Sequence, residues 1–257
     1  MAPTIKNANE IAKMREAGHV VSVAHARVEA AIAPGVTTAE IDALVRDTLA
    51  EFGATSSVLG YGQPPFPGHV CASINDVIVH GIPGSRALRE GDIISVDIGA
   101  ILNGFHGDSA WTYPVGEVSE EAARLLRDTE RALDIAVAMA KAGNRLGALS
   151  HSVEEFAIPL GYGVIRDYGG HGIGRSMHEE PHVANHGDPN RGMVLRTGLT
   201  LAIEPMLTTG TEETRTLADQ WTVVTADGSL AAHFEHTIAV GPEGGEILTP
   251  RLPVAVH

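Results

Sequence analysis

The sequence lacks the usual features of secreted and membrane-spanning proteins. Cys71 is its single cysteine, which excludes an internal disulfide framework and fits a reducing compartment. No hydrophobic run approaches the roughly 20 apolar residues that cross a bilayer, and residues 1–10 are too polar for a secretory signal. These absences predict a cytoplasmic protein with no membrane partner.

Basic residues are also scarce. The chain has 18 Lys and Arg against 32 Asp and Glu, a formal net charge of −14. Because affinity for nucleic acid depends on Lys and Arg displacing counterions, neither DNA nor RNA is expected as the main partner. Most of the acidic residues must form ordinary solvated surface, so the net charge by itself identifies no substrate.

The chain has the length and apolar content to bury an extensive core, with 257 residues of which 44% are hydrophobic. Apolar residues at helical spacing predict helices at 9–32, 38–52 and 119–140. Runs rich in β-branched residues and bounded by glycine predict strands at 93–98, 200–204 and 233–240. Helices followed by strands in each half predict a mixed α/β (α+β) fold.

The two halves of the chain also resemble each other. Gly35 and Gly53 flank one predicted helix, and Gly143 and Gly161 flank another at a shift of 108 residues. A shift of 107 residues relates three further pairs, Tyr61 to Tyr168, Gly91 to Gly198 and Asp97 to Glu204. Any one match is readily explained by chance, but several at nearly one shift predict related halves around a pseudo-twofold axis. An active site is then expected at their junction.

Four acidic residues fall in otherwise apolar runs. Asp97 lies in a predicted strand, and Asp108 follows the Asn-Gly hairpin signal at 103–104. The two carboxylates are expected roughly opposite each other, with a bulge or longer loop because a strict two-residue turn misses by about one residue. Glu204 and Glu235 are predicted within strands too, where an unpaired charge is very costly to bury.

These acids need a counter-charge, and the predicted strands contain no Lys or Arg to supply it. Two divalent cations would balance four carboxylates. His171 lies in a glycine-rich stretch at 169–174, where the backbone can approach closely, and can complete the set as a neutral donor. Oxygen ligands with one imidazole suit Mn, Fe or Co better than a thiolate-bound structural zinc.

With 13 histidines in the chain, only position separates functional from structural ones. His80 ends an apolar strand at a turn and His178 follows His171 by seven residues, so both are predicted site residues. Four histidines remain undecided, namely His106, His182, His186 and His236. The default assignment to structure or solvent covers His19, His25, His69, His151, His233 and His257.

Six motifs together resemble those of type I methionine aminopeptidases, over about residues 5–249: Val79-His80-Gly81-Ile82-Pro83, Val96-Asp97-Ile98-Gly99, Gly107-Asp108, Gly170-His171-Gly172-Ile173-Gly174, Ile203-Glu204-Pro205-Met206 and Phe234-Glu235-His236-Thr237. Each motif alone is only suggestive, but the ordered set is highly specific. The resemblance implies a pseudo-twofold "pita-bread" fold, with a curved antiparallel sheet and helices on its outer face. It further implies one catalytic domain over 1–257, with halves at about 8–116 and 117–250.

The resemblance also implies a dinuclear metal site. Asp108 and Glu235 would bridge two divalent cations, Asp97 would complete one site, and His171 with Glu204 would complete the other. Co, Mn and Fe are the expected metals, with Zn and Ni as weaker candidates. Glu204 would double as the general base.

The implied activity is removal of the initiator methionine from methionyl peptides and nascent polypeptides with a small second residue. His80 and His178 would be catalytic. The residues implied to contact substrate are His80, His178, Tyr61, Cys71, Met177, Trp221 and, in place of a nearby aromatic of relatives, Phe66. Relatives commonly have Phe where Met177 stands and Cys where Val58 stands, so a more pliable pocket is expected.

The resemblance is to the compact bacterial type, because neither the helical insertion of type II enzymes nor a cysteine-rich extension is seen. A monomer is expected, and transient association with the ribosome is compatible with nascent-chain substrates although no basic patch indicates it. One alternative is an X-Pro aminopeptidase or prolidase of the same fold, which usually has a substantial extra N-terminal domain. Another is a non-catalytic protein-binding module, which generally loses metal ligands that this chain keeps.

Overall fold

The computed structural model describes residues 3–253, with four α-helices in that range. The helices are α1 (Ala8–Ala31), α2 (Thr38–Glu51), α3 (Glu120–Met139) and α4 (Leu146–Ala157), the last followed by a 3-10 turn (Ile158–Leu160). The three helices predicted from periodicity are therefore confirmed to within a residue at each end. Helix α4 occupies the stretch between Gly143 and Gly161, as predicted.

Side-chain caps explain where three of the helices begin. The side chains of Asn7 and Thr37 accept hydrogen bonds from the backbone N–H groups of Glu10 and Glu40, and each glutamate side chain accepts a bond from the backbone N–H of its capping residue. The Ser119 side chain caps α3 by accepting a bond from a backbone N–H of the first turn. Each such cap stabilises its helix by about 1 kcal/mol.

The strands of residues 3–253 are β1 (Thr55–Ser56), β2 (Cys71–Ile74), β3 (Val77–Val79), β4 (Ile93–Leu102), β5 (Phe105–Pro114), β6 (Gly163–Val164), β7 (Gly170–Gly172), β8 (Glu179–Val183), β9 (Thr200–Ile203), β10 (Met206–Thr208), β11 (Thr214–Thr216), β12 (Val223–Thr225), β13 (Ala231–His233), β14 (His236–Val240) and β15 (Gly245–Ile247). They form four sheets, in the orders β1-β4-β2 with β5 also paired to β4, β13-β10-β6, β11-β12-β3 and β15-β14-β9-β7-β8. Every ladder between these strands is antiparallel.

Two acids lie in strand breaks, which corrects the prediction that they lie within strands. Glu204 falls between β9 and β10, beside Pro205, which has no N–H to donate to a ladder. Glu235 falls between β13 and β14, where its N–H donates instead to the carbonyl oxygen of Ala110 on β5, at 2.8 Å. The directions of the Glu204 and Glu235 side chains are thus set by irregular backbone between strands, not by a regular ladder.

The hairpin of β4 and β5 positions the other two acids. Its register is regular from Leu102 opposite Phe105 to Ile93 opposite Pro114, so the expected bulge is wrong. Asn103 and Gly104, with φ of 53° and 75°, form the two-residue turn that Asn-Gly favours. Asp97 pairs with Ala110 and Asp108 with Gly99, which makes the acids diagonal neighbours on one face.

Helix α1 packs against both strands of this hairpin, β4 and β5. Helix α3 packs against β9, β10 and β13 of the second half of the chain. Because side chains alternate along a strand, Ile94, Val96 and Ile98 of β4 enter the main core while Asp97 points away from it. None of the helices in residues 3–253 is long and apolar enough to cross a membrane.

The conformation of the hairpin turn can be tested by substituting Gly104. A Cβ added at Gly104 meets nothing within 4 Å, so Gly104→Ala should destabilise only through its left-handed φ of +75°. We expect a loss of about 1–2 kcal/mol in the free energy of unfolding, measured by urea titration. Gly84→Ala is the matched control, since its Cβ also meets open space and its φ lies outside the left-handed region. Equal effects in the two variants would contradict the assigned turn.

Candidate metal centre

One cavity of about 260 Å³ contains the whole set of site residues that the sequence predicts. The predicted metal ligands in its lining are Asp97, Asp108, His171, Glu204 and Glu235. The other predicted residues in its lining are Tyr61, Phe66, Cys71, His80, Met177, His178 and Trp221, joined by Val58. The structure therefore brings these side chains together, while their individual roles remain predictions.

Hydrogen bonds between β5 and residues 235–237 hold Asp108 and Glu235 close together. The Ser109 hydroxyl donates to the carbonyl oxygen of Glu235 at 2.7 Å. The Asp108 N–H donates to the Thr237 hydroxyl at 3.0 Å, and that hydroxyl donates to the Asp108 carbonyl oxygen at 2.8 Å. Ligand atoms of Asp108, His171 and Glu235 consequently lie within 4.8 Å of one another, close enough to share one cation.

The carboxylates lack a compensating lysine or arginine among the described residues. Asp97 Oδ1, Asp108 Oδ1 and Glu235 Oε1 are buried and have no hydrogen-bond partner in residues 3–253. Within residues 3–253, no Lys or Arg pairs with these acids or with Glu204, whose ionic contacts are to histidines. Uncompensated buried charge is strongly destabilising. Oxygen donors with one imidazole fit divalent metal ions, so the residues present suit such a group.

The protonation of the acids reflects the same missing charge. Burial raises the pKa of Asp97 to about 6, with Glu204 adding repulsion. Burial, and then the charges of Asp97 and Glu204, raise the pKa of Asp108 well above its ordinary value. Burial and the neighbouring acids do the same for Glu235. In the absence of a cation, protons bound to these three acids reduce the repulsion among them.

Glu204 behaves differently from the other three acids. Burial opposes its ionisation, but contacts with His233, His171 and His178 outweigh burial and leave its pKa below the ordinary value. One carboxylate oxygen, Oε1, lies 3.7 Å from His171 Nε2, and the other, Oε2, lies 3.3 Å from His233 Nε2. Glu204 is therefore the carboxylate of these four that stays charged most readily.

His171 on β7 is oriented as a metal ligand. Its Nδ1 lies 2.9 Å from the Gly172 carbonyl oxygen, which can only accept, so Nδ1 carries the proton. The lone pair is then on Nε2, the nitrogen nearer Glu204. A Cβ at Gly170 would clash with the carbonyl oxygen of Ala202, which explains the glycine beside this histidine.

The two other predicted histidines are neutral and held by aromatic neighbours. His80 has a φ of 60°, a strained value for this residue type, and its ring centroid lies 5.9 Å from that of Trp221. Burial lowers its pKa. His178 Nδ1 lies 2.7 Å from the Tyr61 hydroxyl oxygen. Burial and nearby His171 lower the His178 pKa to about 4, so the ring is uncharged near neutral pH.

An apolar wall adjoins the acids. Phe66 and Trp221 pack edge to face at 5.3 Å between ring centroids, and Trp221 Nε1 donates to the Pro64 carbonyl oxygen at 2.9 Å. Cys71 pairs with Asp97 across β2 and β4 and so shares its face, and burial raises the pKa of the thiol, which stays neutral. We call the cluster of Val58, Phe66, Cys71, Met177, Ile82 and Trp221 the apolar slot.

His233, which the sequence analysis assigns by default to structure or solvent, contacts one of the predicted metal ligands. Its side chain is buried and Nε2 faces Glu204 Oε2 at 3.3 Å. The sequence does contain a signal, since His233 stands two residues before Glu235 and alternate residues of an extended chain share a face.

Five other histidines have side-chain partners outside the acid cluster. His25 contacts Tyr113 and Ser109, His69 contacts Asp42, and His151 contacts Glu154. Of the undecided residues, His106 contacts Ser57 and His236 contacts Thr249. His257 lies outside the described residues.

Buried carboxylates with one imidazole beside an apolar slot define the site of a metal-dependent hydrolase. The profile of metallopeptidase family M24 matches residues 12–242. A methionine aminopeptidase of Clostridium acetobutylicum is 52% identical over 95% of this chain and 98% of its own length. The chain therefore belongs to metallopeptidase family M24 and, within it, to the methionine aminopeptidases.

Solved structures confirm the pita-bread fold. The methionine aminopeptidase of Thermotoga maritima is 44% identical and superposes with a TM-score of 0.94, over 96% of this chain and 99% of its own. An Xaa-Pro dipeptidase from Bacillus anthracis is 25% identical with a TM-score of 0.76, over 95% of this chain but 61% of its own. The chain thus matches the compact members in length as well as in sequence.

The raised pKa of Asp97 predicts that removing its charge stabilises the metal-free protein at neutral pH. Its pKa is about 6 in the folded protein, against an ordinary value of 3.8 for an aspartate side chain. Because the pKa is raised in the folded protein, the contribution of Asp97 to the free energy of unfolding is most favourable below about pH 4. That contribution is lost as pH rises through about 6. In EDTA near pH 7, Asp97→Asn should therefore be more stable than wild type by roughly 1–3 kcal/mol.

The measurement is denaturant unfolding in EDTA at pH values from 4 to 7. Saturating Mn²⁺ should reverse the order of stability, because the variant lacks one of the five predicted ligands. The exposed change Asp134→Asn serves as the control and should have little effect at any pH. A metal-free Asp97→Asn protein less stable than wild type at neutral pH would refute the proposed repulsion.

Proposed function

We propose that the protein removes N-terminal methionine from peptides and nascent polypeptides by metal-dependent hydrolysis of the first peptide bond. The proposal depends on one observation: residues of the apolar slot and the acidic residues line the same cavity. If the first side chain of a peptide substrate occupied the slot, the first peptide bond would lie beside the acids. The relatives' names as methionine aminopeptidases support the same activity.

The chemistry of the slot suits a methionine side chain. Cys71 and Met177 contribute polarisable sulfur, and Trp221 with Phe66 contributes flat apolar surface. An unbranched thioether would fill such a slot with little strain. Because the cavity measures only about 260 Å³, we expect room for a small second residue rather than a large one.

The same cavity would hold two divalent cations. Asp97, Asp108, His171, Glu204 and Glu235 would hold them. Mn, Fe and Co suit these donors best, with Zn and Ni less favoured. When bound, the pair would supply a nucleophilic hydroxide near neutral pH and polarise the attacked carbonyl group.

The remaining steps fall to the protein's own side chains. Glu204, the acid with the lowered pKa, would accept the proton of the attacking water and pass it to the leaving amine. The Tyr61 hydroxyl would donate to His178 Nδ1, which leaves Nε2–H to stabilise the developing oxyanion. Neutral His80 would bind the scissile nitrogen or the departing backbone.

We expect the protein to act as a cytoplasmic monomer on nascent chains, with transient association at the ribosome. The two pseudo-symmetric halves, about 8–116 and 117–250, would then form one catalytic domain. Each half contributes acids to the cavity, Asp97 and Asp108 from the first and Glu204 and Glu235 from the second.

The decisive substrate assay compares Met-Ala-Ser, Met-Leu-Ser and Ala-Pro across a panel of divalent metals under anaerobic conditions. We expect Met-Ala-Ser to be cleaved fastest, because the larger leucine side chain at the second position of Met-Leu-Ser would clash with residues at the cavity entrance. Faster cleavage of Ala-Pro would favour an X-Pro peptidase. Absence of both bound metal and peptidase activity would favour a protein-binding module.

The two histidines are tested separately from the metals. His80→Ala and His178→Ala should retain bound metal yet lower kcat by about 10²- to 10³-fold, the usual cost of one oxyanion donor. Metal content by mass spectrometry and kcat on Met-Ala-Ser are the two measurements. His151→Ala, at a partly exposed histidine of α4, is the control. Wild-type kcat in either cavity variant would remove that histidine from the mechanism.

A further inference from the structure

His233 lies directly behind the site without lining its cavity. The residue ends β13, and its side chain is about 3% exposed. Its imidazole is absent from the cavity wall, whereas the Glu204 carboxylate that it faces forms part of that wall. His233 can therefore act on the reaction only through another residue.

The backbone of His233 is held firmly in place. Its N–H donates to the Thr112 hydroxyl at 2.9 Å, and the same hydroxyl donates to the His233 carbonyl oxygen at 2.8 Å. Thr112 belongs to β5, the strand that carries Asp108. Across the other edge of β13, His233 pairs with Met206, two residues after Glu204. The backbone that carries the imidazole is thus fixed relative to Asp108 and Glu204.

The contact with Glu204 has one favourable arrangement. Nε2 of His233 is buried and has no well-aligned hydrogen-bond partner within residues 3–253, and Glu204 Oε2 faces it at 3.3 Å. A carboxylate oxygen can only accept, so Nε2 must carry the proton for the contact to stabilise. Glu204 Oε1 then remains on the side of His171 Nε2, 3.7 Å away.

We propose that His233 is a positioning residue for Glu204, whose Nε2–H holds Oε2 and so presents Oε1 to the metal cluster and the attacking water. Glutamate has several rotatable bonds, and fixing one oxygen reduces the ways in which the other can point. Hydrogen bonds to a ligating side chain commonly contribute about 10- to 100-fold to metal affinity or activity. The proposal rests on the proposed function, because Glu204 is given its roles there.

Two substitutions at His233 separate the hydrogen bond from packing. His233→Met keeps a long side chain but removes the donor, whereas His233→Gln places an amide N–H at a similar reach. We expect the Met variant to lose about 10- to 100-fold both in Mn²⁺ affinity and in kcat on Met-Ala-Ser, with KM changed by less than about 3-fold. The Gln variant should recover most of both losses.

Mn²⁺ affinity is measured by calorimetry on metal-free protein, and thermal unfolding in EDTA checks that each variant is folded. If the Met variant does not fold, His233→Asn, whose donor is too short to reach Glu204, replaces it. Wild-type affinity and kcat without the donor would overturn the proposal, as would a Gln variant as impaired as Met. An inactive wild type would refute the proposed function instead, whereas an active wild type with an unimpaired Met variant refutes only the role of His233.

Discussion

Electrostatic repulsion among buried carboxylates is the constraint on which this structure depends. Three acids in the cavity have oxygen atoms without any hydrogen-bond partner, and no basic side chain in residues 3–253 neutralises them. Such a cluster is tolerable in a folded protein only when protons or cations supply positive charge. The raised pKa values of Asp97, Asp108 and Glu235 describe the first solution, and divalent metals provide the second.

The fold provides the means to hold these charges close. A regular hairpin aligns Asp97 and Asp108 on one face, while strand breaks aim Glu204 and Glu235 at the same point. Hydroxyl groups of β5 and β14, not charged groups, join the two sets of acids, since Ser109 and Thr237 bond to backbone atoms across the junction. Neutral bonds of this kind fix positions without adding charge that would compete for the cation.

Sequence patterns predicted the helices, the Asn-Gly turn and the residues of the cavity, because each depends on local spacing or on a recognisable motif. They did not predict the diagonal register of Asp97 and Asp108, nor the breaks at Glu204 and Glu235, which depend on pairing between distant segments. His233 was missed for a related reason. Its contact with Glu204 joins residues 29 positions apart, and a histidine beside an apolar phenylalanine resembles ordinary core.

Anomalous diffraction from crystals grown with Mn²⁺ would show whether cations sit among the buried carboxylates. We expect two anomalous peaks in the cavity, both bounded by the side chains of Asp97, Asp108, His171, Glu204 and Glu235. If a crystal saturated with Mn²⁺ shows no peak among these residues, or shows each carboxylate paired with a basic side chain, then metal ions do not balance this cluster.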